Sequence, residues 1–423
     1  MPDTKQTVLE QAVADQWKVL PSGLTVLVRP MPGYSSTHVI FATKFGSIDR
    51  DFRLDGKEVH LPAGVAHFLE HKMFEDQDGD AFAKYAKTGA NANAFTSFDR
   101  TCYLFTATQQ LDESLDVLLG MVTHPYFTEQ TIAKEQGIIG QEIRMCDDDP
   151  GWRVFFNMLC GLYQKHPVRI DIAGTIESIA QITDDLLYRC YRTFYNLHNM
   201  VLAVAGNCTV DEVLEVADRL LKPCDDQKLE TVFPEETLDI VRPETVETAA
   251  VGQPLFNLGI KCQPRSGMDN LRAEMQAHIA MLTLSGSSSL LYQEMLQSGL
   301  VNESFSSEVF NGDGFFTMIF GGESRDPKAV REKITAAILD AQKNGLDETM
   351  FTECKKTTYG NLVREQNNVS AVTNALVASH MAGCGLYDTM QVLSEMTLED
   401  CNCFLREEVD VERMTLSIIA PAK

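Results

Sequence analysis

No stretch of this sequence reaches the 18 consecutive apolar residues that a membrane-spanning helix needs. The first residues, Met1 to Gln6, contain no apolar run typical of a signal peptide, so we expect a cytoplasmic protein. Basic residues are in the minority, because 36 Lys and Arg stand against 60 Asp and Glu, for a net charge of −24. This charge argues against nucleic acid or an anionic membrane as a partner.

The eleven cysteines form neither a disulfide framework nor a thiolate zinc motif. No C-x-x-C pattern occurs, and only Cys401 and Cys403 lie close together. We therefore expect reduced thiols. Hydrophobic residues make up 44% of the 423 residues, which is enough for large buried cores, and a chain of this length is expected to form two domains.

The strongest chemical signal is the sequence HFLEH at residues 67–71. Apolar residues around it recur at three- and four-residue steps, which predicts a helix. On a helix, His67 and His71 lie on one face about one turn apart, and Glu70 leans toward the same side. A hydrolytic zinc site needs this set, a third protein ligand and an open position for water. H-x-x-E-H is a metallopeptidase signature; the alternative is two inert, hydrogen-bonded histidines on a half-buried helix.

Two downstream glutamates, Glu135 and Glu142, are candidates for the third ligand. Both lie on a helix predicted from Thr128 to about Cys146, and their seven-residue spacing places them on one face. At 1.5 Å per residue they are about 10.5 Å apart along the axis, too far for both to bind one ion. One should coordinate the metal, and the other should orient a histidine or a neighbouring helix. The spacing leaves open which is which.

Strand and helix patterns alternate along the chain and predict an α+β fold. Residues 91–98 are small and polar, as in an exposed edge strand that could pair with an extended peptide; the alternative is a plain arm of a hairpin. The second half repeats the first weakly, so we predict domains at 1–222 and 249–423, joined by a charged, proline-containing linker at 223–248.

The predicted duplication bears on the number of metal sites. Alignment of the helix after residue 347 with the one after residue 128 pairs Glu135 with Cys354 and Glu142 with Asn361. The region that corresponds to the HFLEH helix, residues 285–294, contains no histidine. We therefore expect one zinc ion per chain, bound in the first half.

These features together resemble peptidase family M16, which includes insulysin, pitrilysin and the mitochondrial processing peptidase. The resemblance spans essentially the whole chain and rests on the 67–71 motif, residues 89–94, and the paired Glu135 and Glu142. The length fits the short, two-domain bacterial branch. The resemblance implies two homologous domains, each an antiparallel-rich sheet covered by helices, that form half of a clam-shell chamber.

The same resemblance implies roles for the candidate residues. In the family, the two histidines and the second downstream glutamate bind zinc, which maps the ligands onto His67, His71 and Glu142. Glu70 then corresponds to the general base, and Glu135 corresponds to the residue that supports the site.

The resemblance also implies the substrate and its binding mode. The stretch that contains Asn93, Ala94 and Phe95 resembles the edge strand that holds the substrate in extended form. The expected activity is that of a zinc-dependent endopeptidase acting on peptides inside a chamber.

One departure from the family pattern concerns the second half. Active members usually carry an arginine and a tyrosine there, but the matching positions are Leu296 and, at or near the second position, Asn302. The chain therefore resembles the zinc-bearing half of a heterodimer whose zinc-less partner supplies both residues. A homodimer that uses Asn302 or Tyr292 instead, and a non-catalytic subunit with a structural or vestigial zinc site, remain alternatives. The sequence does not name the substrate.

Overall fold

The structure is a computed structural model that describes residues 17–76 and 79–422. The residues Met1 to Gln6, used above to predict the location, lie outside this range. The strands are β1 Trp17–Val19, β2 Thr25–Pro30, β3 Thr37–Thr43, β4 Asp51–Leu54, β5 Lys57–His60, β6 Glu75–Asp76, β7 Gly79–Asp80, β8 Asn91–Thr96, β9 Thr101–Ala107, β10 Met200–Gly206, β11 Leu229–Thr231, β12 Glu244–Ala249, β13 Leu255–Lys261, β14 Ser306–Gly312, β15 Phe315–Glu323 and β16 Met414–Pro421.

Residues 17–76 and 79–422 also contain α-helices and a few short 3-10 helices. The α-helices are α1 Val65–Lys72, α2 Ala81–Thr88, α3 Leu111–Thr123, α4 Glu129–Asp148, α5 Pro150–Leu162, α6 Ile176–Ile179, α7 Asp184–Phe194, α8 Val210–Leu220, α9 Gly267–Ser285, α10 Leu290–Gln297, α11 Pro327–Asn344, α12 Glu348–Glu365, α13 Val369–Met381, α14 Asp388–Glu395 and α15 Leu398–Glu408. The predicted α+β fold is confirmed. Within the described ranges, no helix is both long and apolar enough to cross a membrane.

Two compact units divide the chain, and neither is continuous in sequence. The first contains the described residues of Met1–Gln141, Asp171–Val232 and Arg364–Met381. The second contains those of Glu142–Ile170, Phe233–Val363 and Ala382–Lys423. The sequential domains at 1–222 and 249–423 stay a prediction, because these units are defined by contacts in space.

The first unit is built on a six-stranded sheet in the order β1-β2-β10-β3-β9-β8. The strands β3 and β10 are buried along their whole length, as expected for continuous apolar runs at the centre of a sheet. β2 pairs in parallel with β10, whereas β3 pairs antiparallel with β10 and β9. β8 lies at the edge of this sheet, beside β9.

The second unit is built on a five-stranded sheet in the order β12-β16-β13-β15-β14. β12 pairs in parallel with β16, and the following pairs are antiparallel. The strands β12, β16, β13, β15 and β14 thus repeat the topology of β2, β10, β3, β9 and β8. This shared order is the structural counterpart of the weak sequence repeat.

Each sheet is covered by a helix that comes from the other half of the sequence. α5 packs on β13 and β16 of the second unit, where Gly161 and Gly259 leave room for close contact. A Cβ atom at Gly259 would lie 2.7 Å from the sulfur of Met158. In the first unit, α13 packs on β3 and β10, with Val372 and Val377 buried. These long-range placements cannot be derived from periodicity alone.

The segment 223–248, predicted as a linker, contains secondary structure. β11 pairs antiparallel with β4 in the first unit, and β12 forms an edge of the second sheet. β11 has only three residues, which is too short for a recognisable alternating pattern. Hydrogen bonds from the neighbouring strands β4 and β16 therefore order β11 and β12. The sequences of these two segments do not by themselves predict strands.

A buried ion pair fastens the same segment to the second unit. Lys261 and Glu236 lie 2.7 Å apart between Nζ and Oε1, with side chains only 2% and 7% exposed. Lys261 also donates to the carbonyl oxygen of Leu162, at 2.9 Å. The Glu236 carboxylate accepts three backbone N–H groups, those of Gln164, Lys165 and His166. The pair therefore joins three separate parts of the chain.

We expect Lys261→Met to lower the free energy of unfolding by about 3–5 kcal/mol, because the Glu236 carboxylate would stay buried without its cation. Denaturant unfolding at neutral pH measures this loss. Lys328→Met is the control, since Lys328 pairs with Glu244 on the surface and its loss should cost less than about 1 kcal/mol. Equal losses in both variants would contradict the prediction.

The same pair predicts a pH dependence. Burial alone would raise the pKa of Glu236, but the hydrogen bonds from Lys261 and the three N–H groups outweigh it and lower this pKa to about 2. A depressed carboxylate pKa adds stability above the unfolded-state value of about 4.3, and this contribution is lost as the pH falls through about 2. The difference in the free energy of unfolding between wild type and Lys261→Met should therefore become smaller as the pH falls from about 4.3 to about 2.

Candidate metal centre

Helix α1 presents the HFLEH residues and begins at a position that requires glycine. Gly64 precedes the helix with a φ of 85°, in the left-handed region. A Cβ atom there would lie 2.3 Å from the carbonyl oxygen of Ala173. Phe68 and Leu69 are fully buried and fix the other face of the helix in the core. Glycine and the two apolar side chains thus set the direction in which the histidines point.

His67 and His71 lie side by side on the remaining face of α1. Their ring centroids are 4.6 Å apart, and both residues are half-buried. Burial, assisted by the neighbouring His71, lowers the pKa of His67 to about 4, although Glu135 acts in the opposite direction. His67 is therefore neutral at physiological pH. Neutral imidazole is the form that binds metal ions.

Glu135 on α4 orients one of these histidines. Its Oε1 lies 2.9 Å from Nδ1 of His71. Burial alone would raise the pKa of Glu135, but the hydrogen bond from His71, the charge of His71 and that of Lys72 outweigh it and lower the pKa. The carboxylate is therefore an acceptor, so Nδ1 carries the hydrogen. In the neutral imidazole that binds a metal ion, Nε2 of His71 then carries the lone pair, as in carboxylate–histidine pairs around zinc.

Glu142 lies two turns further along α4 and joins the histidines. One nitrogen from each of His67 and His71 and one oxygen of Glu142 all lie within 4.8 Å of one another. Ligand atoms that bind one zinc ion at about 2 Å are about 3.4 Å apart in a tetrahedron. A modest rotation of the side chains would bring the three donor atoms to this spacing. Two nitrogens and one carboxylate oxygen form a donor set typical of hydrolytic zinc. The donor set therefore fits the metal that the sequence predicts.

Glu70 lies on the same helix but interacts with strand β8. It is 8% exposed, and its Oε2 accepts a hydrogen bond of 2.7 Å from Oγ1 of Thr96. Thr96 was not among the residues singled out in the sequence. The sequence gives only a weak signal for Thr96, because a threonine at the end of a polar edge strand is common whether or not its hydroxyl has a hydrogen-bond partner.

The residues predicted to bind substrate lie on β8. Asn93 and Phe95 are exposed and Ala94 is half-buried, which is the alternation expected for an edge strand. The backbone N–H of Ala94 donates to Oδ1 of Asn93 at 2.9 Å. The same strand ends at Thr96, so the predicted substrate edge leads directly to the residue that contacts Glu70.

The positions that could replace the missing arginine and tyrosine are engaged within the second unit. Tyr292 is 8% exposed, and its ring packs near Phe305 with centroids 6.0 Å apart. The side-chain amide of Asn302 donates to Oε2 of Glu323 at 2.6 Å. Leu296 packs against the core of this unit. Use of Asn302 or Tyr292 on a substrate would require these contacts to change.

Two family profiles match the chain. The one described as Insulinase (Peptidase family M16) matches residues 57–176, which include the whole donor set. The one described as Peptidase M16 inactive domain matches residues 181–358. The two matches follow one another along the chain, as expected for one domain of each kind.

Comparison with individual proteins of known sequence or structure agrees with the two family profiles. The chain is 38% identical over 411 residues to the uncharacterized zinc protease YmfH of Bacillus subtilis, covering 95% of each. A crystal structure of an M16-like peptidase from Alicyclobacillus acidocaldarius is 34% identical, with a TM-score of 0.94 over 96% of this chain and 98% of that one. Pitrilysin shares the fold, with 15% identity and a TM-score of 0.74 over 96% of this chain and 44% of that one. The chain belongs to peptidase family M16.

Proposed function

We propose that this chain is the zinc-bearing subunit of a peptidase that hydrolyses peptides held in extended form. The convergence of His67, His71 and Glu142 carries this proposal, because their donor atoms lie within 4.8 Å of one another. In the proposed site these three residues hold one zinc ion per chain. Names of relatives such as the zinc protease YmfH support the choice of metal.

The bound zinc ion would supply Lewis acidity, which acidifies a water molecule and polarises the scissile carbonyl. Glu70, one residue before His71 on α1, takes the proton from the attacking water on its carboxylate and later gives it to the leaving amine. Glu135 keeps His71 in the required tautomer through the 2.9 Å contact with Nδ1. The chain thus contains a complete proton-transfer route.

The edge of β8 offers the place for the peptide. In this proposal Asn93, Ala94 and Phe95 pair with an extended segment by strand addition. Ala94 would exchange the hydrogen bond from its N–H to Asn93 for one to the substrate. A clam-shell chamber and a cytoplasmic location stay predictions.

A partner subunit completes the proposal. The family resemblance puts the arginine position at Leu296 and the tyrosine position at or near Asn302, so a zinc-less M16 chain that carries both residues would supply the contacts to the substrate carbonyl. Removal of one preorganised donor to a developing oxyanion costs about 10²- to 10³-fold in kcat. We therefore expect hydrolysis of a quenched-fluorescent peptide library by this chain alone to rise at least about 100-fold when such a partner is added.

The controls separate the proposed function from its alternatives. A chelator should abolish the hydrolysis, and a partner with its arginine replaced should fail to stimulate it. Full-rate, chelator-sensitive cleavage by the chain alone would favour a self-sufficient homodimer and contradict the need for a partner. One bound zinc with no cleavage, even with the partner, would favour the non-catalytic subunit that the missing arginine and tyrosine suggest.

A further inference from the structure

A buried histidine, His38, lies in a central strand of the first sheet. It is part of β3 and is only 5% exposed. Its register neighbours are Thr106 on β9 and Ala205 on β10, so a strand lies on each side of it. Because side chains alternate along a strand, His38 shares a face of the sheet with Ile40, which packs in one cluster with Val377 of α13. The imidazole ring is therefore on the face that α13 covers.

One ring nitrogen of His38 has a partner, and the other has none within the described ranges. Nδ1 lies 2.8 Å from Oγ1 of Thr106. Nε2 is buried, and no group of residues 17–76 and 79–422 forms a hydrogen bond with it. The neutral tautomer that fits these contacts carries its hydrogen on Nδ1, where Thr106 accepts it, and leaves a lone pair on Nε2. Protonation would add a hydrogen and a positive charge to the buried Nε2, and a buried charge without a partner is costly.

The elements that pack against His38 offer it no negative charge. Neither α13 nor any of the six strands of the first sheet contains an aspartate or a glutamate, although the chain has 60 acidic residues. The relevant groups are Arg29 on β2, two strands away in the same row, Cys102 on the same face of β9, and His380 near the end of α13. Arg29 is cationic, and burial raises the pKa of the Cys102 thiol to about 12 and so keeps it neutral. Burial accordingly lowers the pKa of His38.

Helix α13 contacts the backbone of this histidine as well. Oγ1 of Thr373 lies 3.3 Å from the carbonyl oxygen of His38. One position earlier, Val372 packs in a cluster with Ala205, the register neighbour of His38. Residues Arg364–Met381, which include α13, belong to the first unit, whereas the chain before and after them belongs to the second. The contacts at His38 therefore help to hold on the first sheet a helix whose chain neighbours belong to the other unit.

We propose that His38 is a pH-sensitive switch, which keeps α13 on the first sheet at neutral pH and loosens it in mild acid. The neutral ring fits the face that α13 covers, whereas an imidazolium gains solvation only when α13 moves away. Because burial lowers the pKa of His38 in the folded state, the stability that this contact contributes is fully present above the unfolded value of about 6.5. It is lost as the pH falls below that value.

Hydrogen exchange of the backbone amides tests the switch, with each rate corrected for the intrinsic effect of pH. From about pH 7 to about pH 5, we expect the opening constant of the α13 amides to rise by up to about tenfold for each pH unit below about 6.5. Amides of the central strands β3 and β10 should keep their protection. His38→Asn cannot titrate but keeps a donor near Nδ1 for Thr106, so the rise should disappear in this variant. His38→Gln replaces it if the asparagine variant does not fold.

His124→Asn is the matched control. His124 is exposed just beyond α3, so this variant should keep the wild-type pH dependence. Loss of zinc in acid would be common to all three proteins, and the difference between them isolates His38. Constant α13 protection in wild type, or the wild-type rise in His38→Asn, would overturn the proposal. Equal loss of protection in α13, β3 and β10 would also overturn it, because the whole unit would then unfold at once. The readout requires no peptidase activity and is independent of the proposed function.

Discussion

Glu70→Gln is expected to lower kcat/KM about 10²- to 10⁴-fold while one zinc ion per chain stays bound. The amide has nearly the same shape as the carboxylate, and its carbonyl oxygen can still accept the hydrogen bond from Thr96. It cannot, however, take a proton from water. Peptide hydrolysis gives the rate, and elemental analysis gives the metal content.

Glu129→Gln is the control for this variant. Glu129 is exposed in the first turn of α4, where the same chemical change should leave the rate within about twofold of wild type, as for most surface substitutions. Hydrolysis at the wild-type rate by the zinc-loaded Glu70→Gln variant would refute Glu70 as the base. Loss of both zinc and activity would instead assign Glu70 a role in holding the metal.

Local patterns were sufficient to predict the helix that carries the histidines. The apolar residues around HFLEH recur at helical steps, and the same apolar face is buried through Phe68 and Leu69. α4 was predicted from Thr128 and runs as Glu129–Asp148. The edge character of residues 91–98 was predicted from their small polar side chains, and β8 is at the edge of its sheet. Each of these features depends on residues that are neighbours in sequence.

Features that depend on distant residues were not predictable in this way. The spacing of Glu135 and Glu142 showed that both could not bind one ion, but not which would do so. The contact between Glu135 and Nδ1 of His71 depends on how α4 lies against α1, which no periodic pattern encodes. The same is true of Thr96, whose partner is 26 positions earlier in the chain. The strands β11 and β12 were missed because their neighbours supply the hydrogen bonds that order them.

Replacement of the two downstream glutamates should have unequal effects on zinc affinity. We expect Glu142→Ala to weaken zinc binding about 10²- to 10³-fold, because apparent zinc-binding free energies of roughly 10–16 kcal/mol for sites with four protein ligands give about 2.5–4 kcal/mol per ligand. Glu135→Ala should weaken it only about 10- to 100-fold, since Glu135 acts through His71. Competition with a chromophoric chelator measures both affinities, and Glu129→Ala serves as the control on the same helix.

The order of these variants in zinc affinity decides whether Glu142 or Glu135 is the metal ligand, which the spacing left open. His71→Ala removes a proposed ligand together with the partner of Glu135, so Glu135→Ala added to it should have little further effect on affinity. The Glu142→Ala and His71→Ala effects should instead accumulate, because each removes a separate donor from the set that lies within 4.8 Å. A larger loss for Glu135→Ala than for Glu142→Ala would exchange the two roles. Wild-type affinity in Glu142→Ala would show that the carboxylate beside the histidines does not hold the metal.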